Sequence, residues 1–379
     1  MTPRTTTKVL LICLIAIGSA CMAQSSVKNY KPRARVNGPS VDNLARHPGK
    51  APHAMLNAMF ESIEQYWLPV EYEAAKSVDV RATLDASLPA GRLDKRLASQ
   101  DAIDFDVNAE GLHTPNGRYR FNLKGEMGDM EIIDDLKRSF MTSHDFRAFS
   151  DKPNRARKEG AGLTNYRSYF LGELGDMRRH MLESGVYRAV YTGTGRFENN
   201  DVEVINFYKP QGPADRKKST RKAPIPLKRL WTFYQEGGYE IWLYRATHLP
   251  AVIFYTNTRD NIYMNMTFRY DNQWMPTRIT FYNNSVKSEG RGDLVLSYDE
   301  NRMIQGASLT FDGDNGIALR LDANLAFGGE PAATAFRILP AFGYKKLNSD
   351  HLKLMLLTQA SGNLLKLKKH GFNLRNFKF

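Results

Sequence analysis

The sequence predicts a mainly β protein with a few flanking helices, organised around an antiparallel sheet. Between residues 187 and 325, short runs of alternating apolar and polar residues follow one another with turn residues between them. Every second residue of 262–270 is apolar, and the same step of two returns in 317–325. Side chains of a strand point alternately to its two faces, so each run is a strand with one apolar face. Successive strands without long helices between them indicate an antiparallel sheet that curls.

The first residues predict a secretory signal peptide over residues 1–23. Arg4 and Lys8 precede an apolar run, which ends in a zone of small residues. The apolar run is too short to span a bilayer comfortably. We therefore expect an exported, periplasmic protein that is cleaved after Ala23 or Ala20.

The two cysteines, Cys13 and Cys21, both lie within or at the edge of this signal. Cleavage after Ala23 would leave a mature chain without a thiol, which excludes disulfides, thiolate metal sites and cysteine nucleophiles. The alternative is a lipoprotein anchored through Cys21, although Gly18 stands where a lipobox has a large aliphatic residue.

The chain is basic, with a formal net charge of +13, and loss of residues 1–23 removes two of these charges and no acid. A basic exported protein favours peripheral contact with an anionic membrane surface or an envelope protein, and we expect no nucleic acid as a partner. The insertion at 210–222 is either a solvated loop or the contact surface. Its candidate contact residues are Arg216, Lys217, Lys218, Arg221 and Lys222.

Composition and periodicity divide the rest of the chain. Residues 24–52 are rich in Ser, Asn, Pro and basic residues without periodicity, which predicts a flexible linker. Residues 53–358 carry the periodic segments of the folded domain, and 359–379 form a basic C-terminal tail.

The folded domain begins with an amphipathic helix. Its apolar residues recur at steps of three and four until Pro69 ends the pattern, and they include Met59, Phe60 and Ile63. This stripe predicts a helix that packs on a sheet. The same stripe would also serve a movable lid over a cavity.

Strands and two further helices follow. Alternation predicts strands at 80–88, 103–107 and 119–123, with a turn at 114–117 before the last of them. Residues 134–147 are compatible with a turn, a strand or a short helix. Helical spacing returns at 169–181, closed by Gly185, and again at 350–358.

The sequence has none of the common catalytic motifs. It lacks a Gly-x-Ser-x-Gly elbow, a Gly-x-x-x-x-Gly-Lys phosphate loop and a His-Glu-x-x-His metal motif. The segment Asp312-Gly-Asp-Asn-Gly316 has the acid spacing of half a calcium loop, but the distal glutamate is missing, so we predict a tight turn. We therefore predict a protein that is not an enzyme and that needs no cofactor or metal.

The strands carry many Met, Phe and Tyr side chains on their apolar faces. Flexible methionines and large apolar faces suit a cavity for an apolar ligand of variable shape. They suit an ordinary core equally well, and periodicity alone favours the core. The candidate cavity or core residues are Met264, Met266, Phe268, Ile279, Phe281, Leu319 and Leu321.

The order of these elements resembles the LolA/LolB-like family of periplasmic lipoprotein carriers, the outer membrane lipoprotein-sorting proteins. The resemblance covers about residues 53–358 and rests on six short segments. They are Gly117-Arg-Tyr-Arg-Phe121, Tyr187-Arg-Ala-Val-Tyr-Thr-Gly193, Phe207-Tyr-Lys-Pro210, Tyr239-Glu-Ile-Trp-Leu-Tyr-Arg245, Tyr270-Asp-Asn-Gln-Trp-Met-Pro-Thr-Arg-Ile279 and Phe336-Arg-Ile-Leu-Pro340.

This resemblance implies an unclosed antiparallel β-barrel whose helices form a lid over an apolar cavity for acyl chains. The implied cargo is a lipid or an acylated protein, carried across an aqueous compartment. In the family an arginine on an early strand helps to hold the lid, and Arg118 and Arg120 are the candidates here. The length of the chain, its basic loop at 210–222 and its polar linker depart from the family pattern.

Three functions are compatible with the sequence. The first is an exported carrier or binder of lipid or lipidated protein. The second is a structural or interaction protein of the cell envelope with a filled core, acting through the basic loop. The third, an enzyme with a dispersed site, has no motif to support it.

Overall fold

The computed structural model describes residues 42–46, 51–89, 102–125, 128–153, 163–183, 188–208, 238–257, 262–284, 289–313, 316–338, 342–348 and 352. These residues form a mainly antiparallel β protein with two α-helices, which confirms the predicted predominance of strands. The chain divides into two compact units, of which the first comprises residues 1–72 and 170–318 and the second comprises 73–169 and 319–379.

The sheet of the first unit runs through nine strands, each antiparallel to the next. Its order is β1, β8, β9, β10, β11, β12, β13, β14 and β15. Within the described part of this unit no pairing joins β1 to β15, so the sheet is unclosed. The strands are β1 (Asp42–Arg46), β8 (Arg188–Phe197), β9 (Asn200–Tyr208), β10 (Gly238–Tyr244), β11 (Pro250–Asn257), β12 (Ile262–Tyr270), β13 (Pro276–Asn284), β14 (Glu289–Tyr298) and β15 (Ile304–Gly313).

The helices are α1 (Pro52–Trp67), followed by the 3-10 turn Val70–Glu73, and α2 (Tyr166–Arg178), followed by a π-helical turn at Arg179–Glu183. Pro52 stands at the start of α1, where its missing N–H costs no hydrogen bond. Both helices agree with the predicted apolar spacing. The predicted third helix lies outside the described residues, apart from Leu352.

The second unit has its own strands, which are β2 (Ser77–Pro89), β3 (Ala102–His113), β4 (Tyr119–Gly125), β5 (Met130–Asp134), β6 (Arg138–Ser143), β7 (Ala148–Pro153), β16 (Ala318–Gly328) and β17 (Lys345–Lys346). Strands β2 to β7 pair in sequence, β16 pairs with β2, and β17 adds a short parallel pairing to β7. One buried cluster of this unit contains Ile133, Phe140 and Phe336. His113 is a core residue of this unit, and its Nδ1 lies 2.7 Å from the hydroxyl of Tyr166.

Two segments add strands to the sequence-based expectations. Residues Asp42–Arg46 of the expected linker form β1, which pairs with β8. The segment 134–147, which was compatible with a turn, a strand or a short helix, contains β6. These short strands carry too few residues for a clear period of two.

Two glycines of β14 make room for aromatic rings on one sheet face. Gly292 lies opposite Phe281 on β13 and opposite Phe311 on β15. The rings of Phe281 and Phe311 are stacked, with centroids 6.1 Å apart and planes 5° apart. A Cβ at Gly292 would lie 2.3 Å from Cζ of Phe281, and one at Gly290 would lie 2.2 Å from Cζ of Phe311. Both rings therefore lie flat over β14.

Consecutive hairpins of the first unit are joined by tyrosine hydroxyls. Tyr270, the last residue of β12, donates to the Pro250 carbonyl at 2.6 Å. Tyr298, the last residue of β14, donates to the Pro276 carbonyl at 2.7 Å. The turn after each of these tyrosines contains a residue with positive φ, Trp274 at 65° in the first and Arg302 at 62° in the second. The two hairpins are thus built alike.

We expect the change Gly292→Ala to lower the free energy of unfolding by about 1–3 kcal/mol, because the new methyl group overpacks the face. It would meet a backbone atom as well as a side chain, since the Thr310 carbonyl oxygen lies 2.5 Å from the added Cβ. Gly172→Ala on α2 is the control, because nothing lies within 4 Å of its Cβ. In urea unfolding, the free energy of unfolding of the control should rise by up to about 1 kcal/mol. Equal midpoints for Gly292→Ala and the wild type would contradict the close packing.

We expect Tyr298 to make stability fall with rising pH. Burial raises the pKa of Tyr298 above its ordinary value of 10.0. Above about pH 10 the unfolded chain releases this proton while the folded chain keeps it, so the free energy of unfolding falls as pH rises. Urea unfolding between about pH 8 and pH 11 should therefore give a steeper fall for the wild type than for Tyr298→Phe. Parallel curves for the two proteins would show that Tyr298 is not buried as described.

Candidate functional site

The candidate site is one face of strands β8 to β12 in the first unit, called the apolar face below. Residues paired directly across neighbouring strands share a face. Here Ile205 lies opposite Ile241, which lies opposite Ile253, which lies opposite Met266. The buried members of the face are Tyr191, Ile205, Phe207, Tyr239, Ile241, Leu243, Tyr255 and Met264.

Helix α1 packs directly on the apolar face. Met55, Leu56, Met59 and Phe60 belong to the same buried cluster as the strand residues, and Ile63 packs against it with partial exposure. Steps of three and four place these side chains on one stripe of the helix. The sequence-based prediction of a helix packed on a sheet is therefore confirmed for α1.

Methionine is unusually frequent where helix meets sheet. Met55 and Met59 of α1 meet Met264 of β12 in one cluster, which also contains Met181 and is bordered by Met177. Methionine has three rotatable bonds and a polarizable sulfur, so a cluster of methionines can repack around guests of different shape. The contact between α1 and the apolar face is thus a part of the core that can repack readily.

The structure places five of the seven candidate cavity residues on one face of neighbouring strands. Phe268 lies opposite Ile279, and Met266 lies opposite Phe281. Met264 and Phe268 are 5% and 6% exposed, while Met266 between them is half-buried. The other two candidates, Leu319 and Leu321, are half-buried on β16 in the second unit. Their role in a cavity stays a prediction.

The C-terminal end of α1 is anchored to hairpin turns of the first unit. Arg302 donates from Nη2 to the Tyr66 carbonyl at 2.9 Å. Carbonyls of the last helical turn lack partners within the helix, and a cation there is also favourable to the helix dipole. The Trp67 ring stacks on Phe268 with centroids 6.0 Å apart. Tyr72 accepts a hydrogen bond from the Ile304 N–H at 2.9 Å.

The N-terminal half of α1 is held mainly by apolar contacts. Its N-cap residue, Ala51, makes no side-chain capping hydrogen bond, and the first turn has no acidic residue. Arg178 of α2 makes polar contacts with the middle of α1, a hydrogen bond to the Asn57 side chain at 3.1 Å and an ion pair with Glu61 at 3.7 Å. The two ends of α1 are therefore secured by different kinds of interaction, polar anchors at the C-terminal end and adaptable packing at the other.

Sequence reasoning missed two polar residues of this site, Arg302 and Asn283. Arg302 lies in a turn, where an arginine gives no periodic signal. Asn283 lies opposite Met264 on β13 and is 1% exposed, although asparagine is normally a surface residue. The alternating pattern of 276–284 would have revealed it only as a break in the apolar face.

The two candidate lid arginines make contacts inside the second unit. Arg118 lies 3.2 Å from Glu330, and its guanidinium lies 4.8 Å from the centre of the Phe336 ring. Arg120 forms an ion pair with Glu131 and donates to the Ala335 carbonyl at 3.3 Å. Both arginines thus fix the segment after β16, and a contact with a lid stays a prediction. The basic cluster Arg216, Lys217, Lys218, Arg221 and Lys222 lies outside the described residues.

A polar cleft of about 380 Å³ opens at the hairpin turns of the first unit. The rings of Tyr244 and Trp274 form one side, with centroids 5.7 Å apart. Charged and amide side chains, together with Ala246, form the rest of the lining. The lining residues are Arg196, Asn199, Asn200, Asp201, Tyr244, Arg245, Ala246 and Trp274.

Two further properties of the described residues bear on chemistry. No group of three or more His, Cys, Asp or Glu side chains among them is placed to hold a metal ion. None of their helices combines the length and apolar character that crossing a membrane requires. The acids Asp104 and Asp106 are both exposed on β3, so they lie on a solvated strand face.

Comparison with known proteins gives matches among solved structures. A LolA superfamily protein from Nitrosomonas europaea shares 10% identity at a TM-score of 0.30, over 76% of this chain and 99% of the other. A putative outer membrane lipoprotein-sorting protein domain from Vibrio parahaemolyticus shares 9% identity at a TM-score of 0.28, over 74% and 97%. MucB in the Pseudomonas aeruginosa MucA/MucB complex gives 9% identity and a TM-score of 0.18, over 74% and 99%.

No family model and no curated protein sequence matches the chain. The structural matches name the same family that the sequence resembles. Their TM-scores and identities are too low to transfer a ligand or a partner to this chain, so the function is argued below from its own residues.

We expect Arg302→Ala to release the C-terminal end of α1. The loss of a hydrogen bond from a charged donor should lower the free energy of unfolding by about 1.5–3 kcal/mol in urea unfolding. Arg320→Ala is the control, since Arg320 is exposed and pairs only with the nearby Asp322 at 2.8 Å among the described residues. The control should change stability by no more than about 0.5 kcal/mol. Similar losses for both variants would show that Arg302 does not anchor the helix.

Proposed function

We propose that this protein is an exported, non-enzymatic carrier or binder that holds a lipid, or the acyl chain of a lipidated protein, between α1 and the apolar face. One observation carries the proposal. The stripe of α1 that contains Met55 and Met59 packs directly on the apolar face at Met264, with further methionines at the edge of the contact.

An acyl chain can replace this contact at little cost. When α1 lies on the sheet, both apolar surfaces are already removed from water. A chain that enters between them leaves both surfaces covered and brings its own methylenes out of water, each of which contributes about 0.8 kcal/mol. Adaptable methionine side chains allow the gap to fit chains of different length.

The anchors of α1 define how the site would open. Arg302, Trp67 and Tyr72 hold the C-terminal end to the hairpin turns, while the N-terminal half rests on the methionine cluster. A lid movement would therefore leave the C-terminal end in place and lift the half that contains Met55 and Met59. In this proposal α1 is the helix that covers the half-barrel cavity.

Export and the resemblance to lipoprotein carriers fit the same function. Residues 1–23 have the pattern of a secretory signal, which would deliver the domain at 53–358 to the periplasm. In an aqueous compartment an acyl chain needs a protein that shields it. The LolA/LolB-like segments of the sequence imply such a carrier.

A second candidate function is supported by the tight burial of the cluster. Leu56 and Ile205 are fully buried, so in this structure α1 itself fills the contact. A permanently filled core would make the protein an interaction module of the cell envelope. It would then act through a surface such as the polar cleft or the basic loop at 210–222.

Mass spectrometry of the exported protein, purified natively without detergent, distinguishes the two functions. The carrier should yield a reproducible acyl species at near-stoichiometric amount, or take up a fluorescent fatty acid after delipidation. If the protein carries no acyl species and also takes up no fluorescent fatty acid, the carrier function is contradicted and the interaction module is favoured.

We expect Met266→Glu to abolish uptake of the fluorescent fatty acid. Met266 lies on the apolar face between Met264 and Phe268, and a carboxylate there is costly to bury beside an acyl chain. Val295→Glu is the matched control, because it also introduces a charge at an apolar position but at a side chain that is 45% exposed. Circular dichroism should show that both variants fold. Normal uptake by folded Met266→Glu would place the acyl chain elsewhere.

A further inference from the structure

Asn283 is a buried polar residue whose side chain has no hydrogen-bond partner among the described residues. It lies near the end of β13 and is 1% exposed. Neither its Oδ1 nor its Nδ2 has a hydrogen-bond partner within the described part of the chain. Most buried polar side chains in folded proteins are hydrogen-bonded, so an unpaired carboxamide requires a physical reason.

The surroundings of Asn283 are apolar. Met264 lies directly opposite it on β12, and Gly290 lies opposite it on β14. The ring of Phe311 lies over Gly290, and Phe281 is two residues away on the same face of β13. The carboxamide therefore borders the methionine cluster of the proposed acyl site, beside aromatic rings and a thioether.

The carboxamide has a specific hydrogen-bonding requirement. Its Nδ2 is a donor and its Oδ1 is an acceptor. A group that both donates and accepts would satisfy the two together, as an amide does with its N–H and C=O. An ester only accepts, so it would leave Oδ1 of Asn283 unpaired. The carboxylate of an ionised fatty acid also only accepts, so a bound fatty acid would likewise leave Oδ1 of Asn283 unpaired.

We propose that Asn283 is the polar anchor of the acyl site and that the site selects amide-linked acyl chains over ester-linked ones. This inference rests on the proposed function, and it names the chemical class of the ligand. The acyl chain would lie between α1 and the apolar face, and its amide would pair with the Asn283 side chain. The ligand thus supplies the hydrogen bonds that the Asn283 side chain does not make with the described residues.

The test uses the full exported protein and two neutral probes that differ in one atom, N-palmitoylethanolamine and 2-hydroxyethyl palmitate. Their dissociation constants are measured by displacement of the fluorescent fatty acid. We expect the amide to bind about tenfold more tightly than the ester, as one well-made hydrogen bond in a dry site would give. Equal affinities would overturn the inference and leave the carrier function standing. Binding of neither probe and no fatty acid uptake would contradict the carrier function itself.

Two variants test the residue. Asn283→Leu keeps a side chain of similar length and removes both polar atoms. We expect it to bind the two probes equally and to unfold at the same or a higher urea concentration than the wild type, because an unpaired buried group has been removed. Asn265→Leu is the matched control on β12, since Asn265 is also buried and should leave the tenfold preference intact.

A lower unfolding midpoint for Asn283→Leu would overturn the inference, because it would show that the carboxamide already has partners in the folded protein. Retention of the amide preference by this variant would also overturn it. The comparison of the two probes on the wild-type protein remains decisive if the variant does not fold.

Discussion

The contact between α1 and the apolar face of strands β8 to β12 is the interaction on which the rest of the structure depends. The strands supply large aliphatic and aromatic side chains, and the helix supplies a stripe of methionines and a phenylalanine. Burial of this surface stabilises the unit in the same way as any hydrophobic core. The difference lies in its composition, because methionines tolerate repacking where Leu or Ile would not. A contact of this kind can be stable when closed and still admit a flexible apolar guest.

Hydrogen bonds hold one end of this contact in place. Arg302 fixes the C-terminal end of α1, and the tyrosine hydroxyls of Tyr270 and Tyr298 join consecutive hairpins beneath it. These hydrogen bonds give the site a rigid side. Toward its N-terminal end the helix is held mainly by packing, and the buried Asn283 side chain at the edge of the cluster has no hydrogen-bond partner among the described residues. Polar anchors, adaptable packing and a buried carboxamide are thus distributed over a single sheet.

Much of this fold could be predicted from the spacing of apolar side chains along the chain and from its turn residues. Strands with one apolar face, such as β12, and the stripe of α1 were predicted because their side chains alternate or recur with a regular step. Strand β1 could not be predicted, because its five residues, Asp42–Arg46, show no clear alternation of apolar and polar side chains. Neither Arg302 nor Asn283 could be assigned to the site, since a turn arginine and an isolated asparagine acquire their roles only from residues distant in sequence.

Photo-crosslinking tests the central claim most directly. A palmitic acid that carries a diazirine in its chain would be bound to the purified protein and irradiated, and its attachment sites would be mapped by mass spectrometry. The account predicts label on α1 within Pro52–Trp67 and on β12 within Ile262–Tyr270. Label confined to other parts of the chain, or no label at saturating ligand, would contradict the placement of an acyl chain between this helix and this sheet.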